Sequence, residues 1–508
     1  MIAMLINRGK TCLTNPVLWG VFILYIIVAG FTMAHHELWG DELHSWNIAK
    51  ASNSFPDLIS NTRYEGHPPL WYIMLWAISK FTHDPVYMQL IHLVIACMLV
   101  FLILFYSPFP FITRILIPFG YFFIYEYAIL CRNYAIGVLL AFFICLVIHK
   151  DFKYKALLYY VLLFLMSNTH LIALLLATSL HLYFLLLQIE QKKKRTVLAL
   201  HILLGGVIFL FSLYFISPPP DSGMNADFWI SKWNVDQIND VGQLPLHAFI
   251  PLPAWWNDHF WNTEFLLEAK NKYRLLKFIN PIIVLMLLGA IFIILRKYKK
   301  SLILFIINLA LSFFVTIAVF ALTTPRYSGF LFIGFIVAYW MYCYKTPADL
   351  RNVWLVNIML VIQIMAGVFI VTKDIRLPFS NAYKVNELLK EVPQNEKAVT
   401  DYWALNTISA FADTSFYCID MEKEMSYLLW NTELSDMQKK TNRYYDGINN
   451  FFQKEGIRKL YLISTRSPES LFKTDSKLST SFQVILVDKR EGAIEKGSNL
   501  YLYEISSL

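Results

Sequence analysis

The feature that most limits what this chain can become is a series of apolar runs long enough to cross a bilayer. They fall at roughly 17–34, 86–106, 111–129, 131–148, 155–169, 170–189, 196–216, 277–295, 301–322, 326–344 and 350–371. A helix rises about 1.5 Å per residue, so about 20 apolar residues cover the hydrocarbon core. Inside lipid the backbone must satisfy its own hydrogen bonds, and helices of this length do so. Composition agrees. The 508 residues are 57% hydrophobic and only 16% charged, against about a quarter charged in soluble proteins. The expected fold is a polytopic α-helical membrane protein with about eleven transmembrane helices.

Charge placement sets the expected orientation. Basic clusters occur at Arg8/Lys10, Lys150/Lys153/Lys155, Lys192 to Arg195, Arg296/Lys297/Lys299/Lys300 and Lys345/Arg351. The segment 67–81 is apolar and aromatic but short. If it lies in the interface, all five clusters share the side of the N-terminus; if it spans, the first opposes the rest. Positive charge marks the cytoplasm, so 67–81 reads as an interfacial helix begun by His67-Pro68-Pro69. The first run lacks a small-residue cleavage site and reads as a retained signal anchor. The 35–85 loop, the Glu126–Tyr134 hairpin, the 217–276 loop and the C-terminal tail then face away from the cytoplasm. A multi-pass plasma (inner) membrane protein is expected, with its chemistry on the extracytoplasmic, or periplasmic, side.

Residues 1–371 read as the membrane domain and 372–508 as a soluble α/β domain outside the membrane. In the second, short β-type runs (KAVTDYW, SFYCID, KLYLIS, FQVILVD, NLYLYEI) alternate with helical patterns at 381–391 and 436–455. It has no Gly-rich phosphate loop and reads as a support or acceptor-docking domain. The net charge of +8 is spread over short clusters between apolar runs, which argues topology rather than nucleic acid. Six cysteines lie far apart, with neither metal-ligand spacing nor a disulfide framework.

The polar residues worth chemical attention gather on the expected outer face. Asp41 and Glu42, in WGDELHSW, follow the first span. An acidic pair at a bilayer surface suits a general base, since partial desolvation and a second carboxylate both adjust its pKa; a helix cap is the plainer account. Next comes RYEGHPPLWYIML, in which Arg63, Tyr64, Glu65 and His67 are candidates for substrate or acceptor binding. Glu65 and His67, two apart, can also hold a divalent metal, although no paired ligand spacing supports one. Arg132 in CRNY and Arg326 in TPRY sit at outer helix ends, each near a tyrosine, Tyr134 and Tyr327. Guanidinium matches phosphate oxygens bidentately, so the pair reads as a phosphate clamp. His170 lies at another outer junction, as a turn cap or a site residue. Phe228, Trp229, Trp233, Trp255, Trp256 and Trp261 crowd the 217–276 loop, as an interfacial anchor or a lid.

These motifs resemble the membrane-embedded glycosyltransferases of the GT-C type. In pattern the chain is similar to the protein O-mannosyltransferases and the lipid A aminoarabinose transferases. The resemblance rests on WGDELHSW after the first span, GHPPLWY before the second, CRNY at a hairpin, TPRY before a late span, and the span count. It implies transfer of a sugar from a polyprenyl-phosphate donor to a protein, lipid or glycan acceptor, with Asp41 as base and no cofactor required beyond a possible divalent metal. The C-terminal domain departs from the β-trefoil of the eukaryotic mannosyltransferases. An oligosaccharide transferase using a preassembled lipid-linked glycan is an alternative within enzymes. A lipid-linked sugar transporter or flippase is the alternative from another class, and it calls for charges at mid-span.

Overall fold

The computed structural model describes residues 12–223, 235–319, 322–346 and 352–508, with side chains except at 235–240 and 271. Arg8, Lys10, Phe228, Trp229, Trp233 and Arg351 lie outside the described residues. Among those described, eight helices are long and apolar enough to cross a membrane: Pro16–His35, Val86–Tyr106, Leu171–Glu190, Arg195–Ile216, Leu276–Leu295, Lys299–Ala318, Pro325–Lys345 and Val353–Arg376. Each coincides with an expected run.

The other three runs come out differently. Two form the shorter apolar helices Tyr134–His149 and Lys155–Ser167. The third, 111–129, is not one helix. It breaks into the Phe111–Leu116 helix, a 3-10 turn at Ile117–Phe119 and a π-type turn at Phe122–Glu126. Pro118 has no N–H to continue the ladder, and Gly120 turns extended at φ −65°, ψ 148°. Its later part, Gly120 to Ile129, is buried, and the broken segment packs against the Val353–Arg376 helix. Gly367 of that helix permits the approach, since a Cβ there would meet Ile124 Cγ2 at 2.8 Å and Phe119 O at 2.9 Å.

Leu70–Ser79 is a ten-residue helix within the 67–81 segment. Part of the expected 217–276 loop is helical. Val235–Phe249 packs against Pro325–Lys345 and Lys299–Ala318, burying Leu244, Leu246, Ala248 and Phe249. From the Val353–Arg376 helix, Gln363 Nε2 donates to Ala248 O at 3.0 Å. The last long helix continues to Arg376, so the 371/372 boundary falls inside it.

Beyond it lies a six-stranded sheet: β1 (Ala398–Thr400), β2 (Phe416–Cys418), β3 (Lys423–Met425), β4 (Lys459–Ser464), β5 (Phe482–Arg490) and β6 (Leu500–Ser507). The order is β3-β2-β1-β4-β6-β5, with β1 parallel to β2 and β4 and the remaining pairs antiparallel. All five expected strands form, and β3 is the addition. The 381–391 pattern becomes a 3-10 turn and Val385–Lys390, and the 436–455 pattern is cut at extended Lys440 into Thr432–Lys439 and Arg443–Glu455.

The sheet domain sits directly on the helix Gly40–Ala51. Asn47 Nδ2 donates to Asn406 O at 2.8 Å, and Lys50 pairs with Asp413 at 2.7 Å. Ser380 Oγ donates to Leu38 O at 2.7 Å, and Tyr383 OH donates to His36 O at 3.2 Å. The segment after the first long helix is thus held between the helical bundle and the sheet.

Candidate active site

The site is built on the first turn of Gly40–Ala51. Trp39 enters extended at φ −108°, ψ 172°, and the Glu42 carboxylate reaches back to accept its N–H at 2.9 Å. That satisfies one of the free N–H groups at a helix start. Successive helical side chains diverge by about 100°, so fixing Glu42 inward turns Asp41 another way. The acidic pair divides. Glu42 is fully buried, accepts the Cys131 N–H and lies 3.5 Å from His36, which itself donates to Asp374 at 2.9 Å. It ties the helix start to the 126–134 hairpin and does not join the group around Asp41.

The Asp41 side chain remains 43% exposed while flanked by two nearly buried guanidiniums. Its Oδ2 lies 3.3 Å from Arg326 Nη1 and 4.0 Å from Arg132 Nη1, and Arg132 also donates to the Asp41 carbonyl. Burial alone would raise the carboxyl's pKa, but Arg132, then Arg326 and His44, hold it below its usual value. Arg326 is boxed by aromatic rings, 5.0 Å from the Tyr327 centroid, 5.5 Å from Trp39 and 5.8 Å from Trp261. Such faces suit a planar cation. Tyr134 stands 6.1 Å from Tyr327 and 4.8 Å from His170, ring to ring.

Glu65 is nine-tenths buried, accepting from His44 Nε2 at 2.9 Å and Tyr72 OH at 3.1 Å. His44 also contacts Asn406 Oδ1 at 3.3 Å, so the sheet domain reaches this pair. Burial lowers the His44 pKa, but Glu65 and Asp41 outweigh it and raise the imidazole above its usual value. His67 goes the other way. Burial, then Arg132, brings it down to about 4, leaving a neutral ring beside the arginines. His170 Nδ1 caps its helix by accepting the Ala173 N–H at 3.2 Å, and its ring also touches Tyr134.

Arg63 and Tyr64 do not reach this group. Arg63 donates to Tyr214 O at 2.6 Å and stacks on the Tyr214 ring, while Tyr64 donates to Asp221 at 2.6 Å. Both pin the end of Arg195–Ile216 and the residues just after it to the segment that follows the first long helix. Among the described residues no three His, Cys, Asp or Glu side chains gather as a metal site, and Glu65 and His67 acquire no third ligand.

No protein-family model matches the chain, and no curated protein does.

The chemistry must therefore be read from geometry. Several buried polar atoms here have no hydrogen-bond partner among the described residues: His67 Nδ1, His170 Nε2, Tyr134 OH, Arg326 Nε and Trp39 Nε1. Native interiors leave few such atoms, and these surround one exposed carboxylate. The arrangement presents an anion-binding pair, a carboxylate and free donors to a polar ligand. Sequence reasoning missed His44, Trp39 and Asn406. His44 carried a signal, since Asp41 and His44 are three apart and share a helix face. Asn406 carried none.

Proposed function

We propose that this chain is an integral membrane glycosyltransferase of the GT-C type, moving a sugar from a polyprenyl-phosphate donor to an extracytoplasmic hydroxyl or amine. In this reading the apolar runs supply eleven crossings, and the site and the sheet domain share the outer face of the plasma membrane. The observation that carries it is the exposed Asp41 carboxylate held between Arg132 and Arg326.

The step is a direct displacement. The acceptor oxygen or nitrogen attacks the anomeric carbon as Asp41 takes its proton. The bond from that carbon to the phosphate oxygen breaks, and the electron pair leaves with the lipid phosphate, so configuration inverts. The arginines stabilise the charge on the leaving group. While they pair with Asp41 they weaken it as a base. A donor phosphate between them competes with Asp41 for their charge and frees the carboxylate when the donor is in place. The acceptor approaches from the side of His44, Glu65 and Asn406, where the sheet domain meets the helix, and belongs to a saccharide, lipid or protein.

The test is transfer by purified protein in lipid, using donors identified by mass spectrometry of the polyprenyl-linked sugars that accumulate in cells carrying Asp41→Asn. The variant should bind donor and fail to transfer. Wild-type transfer rates in Asp41→Asn would remove Asp41 as the base.

A further inference from the structure

One face of the bundle carries a groove remote from this chemistry. It lies between Pro16–His35, Val86–Tyr106 and Tyr134–His149, holds about 630 Å³, and is lined by Phe22, Leu93, Cys97, Met98, Phe101 and Leu146 with further apolar side chains. That volume is in the range of about 300–1,000 Å³ usual for small-ligand sites. The charged residue in the lining is Lys150, at one end, with Nζ 5.9 Å from the Tyr106 ring centroid.

The position of Lys150 fixes which end this is. Arg132 and Tyr134 precede Tyr134–His149, whereas Lys150 follows it, so about 24 Å of helix separates the groove's cation from the Asp41 group. Along Val86–Tyr106, Tyr106 follows Leu93 by thirteen positions, about 20 Å. Half of a hydrocarbon core is about 15 Å. The groove therefore extends from headgroup level through a single leaflet. Arg114, at the same end, donates to the carbonyls of Leu104, Ser107 and Phe109, adding a second, buried cation there.

We propose that this groove binds one anionic phospholipid of the leaflet at the Lys150 end, with an acyl chain along Met98 and Phe101 and the phosphate at Lys150. A zwitterionic lipid offers Lys150 no net charge. A polyprenyl chain is far longer than one leaflet, and its phosphate is required at the other end of the bundle by the proposed reaction. The exclusion of polyprenyl phosphate rests in part on that reaction; the groove, its length and its cation do not.

The test uses the full chain in detergent micelles with phosphatidylglycerol, phosphatidylcholine or polyprenyl phosphate added, counting retained lipid by native mass spectrometry. Wild type and Lys150→Arg should retain phosphatidylglycerol in preference. Lys150→Glu should weaken retention at least about fivefold, the effect of one basic residue near an anionic surface. Met98→Trp should fill the groove and remove the lipid without altering charge; Met98 is 43% exposed, so the fold tolerates it. Equal retention of phosphatidylcholine, unchanged retention in Lys150→Glu or Met98→Trp, or preferential retention of polyprenyl phosphate would each overturn the assignment.

Discussion

The Asp41 carboxylate lies 3.3 Å from the Arg326 guanidinium, joining the Gly40–Ala51 helix to the start of Pro325–Lys345 across 285 residues of chain. Arg132 approaches the same oxygen to 4.0 Å from a third element. Three segments distant in sequence therefore meet at one half-exposed anion, and the proposed chemistry depends on that meeting.

Arg326→Ala should weaken polyprenyl phosphate binding about ten- to a hundredfold, the usual worth of a charge-assisted contact of roughly 1.5–3 kcal/mol. Arg326→Lys should recover little, because lysine lacks the planar fork that fits both the phosphate and the ring faces of Tyr327 and Trp39. Titration of the purified variants with polyprenyl phosphate measures both. Native affinity in Arg326→Ala would move the phosphate elsewhere.

Asp41→Asn should bind polyprenyl phosphate a few-fold more tightly than wild type while transfer falls about a hundred- to ten-thousandfold. It removes the carboxylate that competes with phosphate for Arg132 and Arg326. Weaker binding by this variant would contradict the exchange of partners proposed at the arginines.

Glu42→Ala should act on folding. It leaves the Trp39 and Cys131 N–H groups buried without an acceptor and takes one of two carboxylates from His36, which keeps Asp374, at about 1–3 kcal/mol for each unsatisfied donor. The melting temperature should fall well below that of Asp41→Asn, which changes a half-exposed side chain. Equal melting temperatures with selective loss of transfer in Glu42→Ala would bring Glu42 into the chemistry.

The His36 cluster should make stability fall at alkaline pH. Burial lowers the imidazole pKa, but Asp374 and then Glu42 outweigh it and raise it to about 10. A folded pKa above the unfolded value of about 6.5 contributes stability in full below pH 6.5, lost as pH rises through about 10. Melting temperature should drop between pH 8 and 10.5 in wild type, and the slope should flatten in His36→Gln. An unchanged slope would place the titrating group elsewhere.

Sequence alone determined the helical class, the positions of the eight long helices, the β-type runs of the C-terminal domain and Asp41, Arg132 and Arg326 as polar residues at helix ends. Those features are local. Apolar length, alternation and a charged residue at a helix end are written in contiguous residues, and the bilayer or the pleat enforces them. Tertiary structure decided the rest. Asp41 and Glu42 are neighbours in the chain, yet the Trp39 N–H and the Cys131 N–H draw Glu42 inward and leave Asp41 to the arginines. The 111–129 run has membrane length, but Pro118 breaks its ladder and Gly367 lets another helix cover it. Arg63 looked like a site residue until the Tyr214 carbonyl and ring claimed it. Asn406 reached His44 across 362 residues. Which of several polar residues turns toward a shared centre depends on competing partners far away in the chain, and no local pattern encodes that competition.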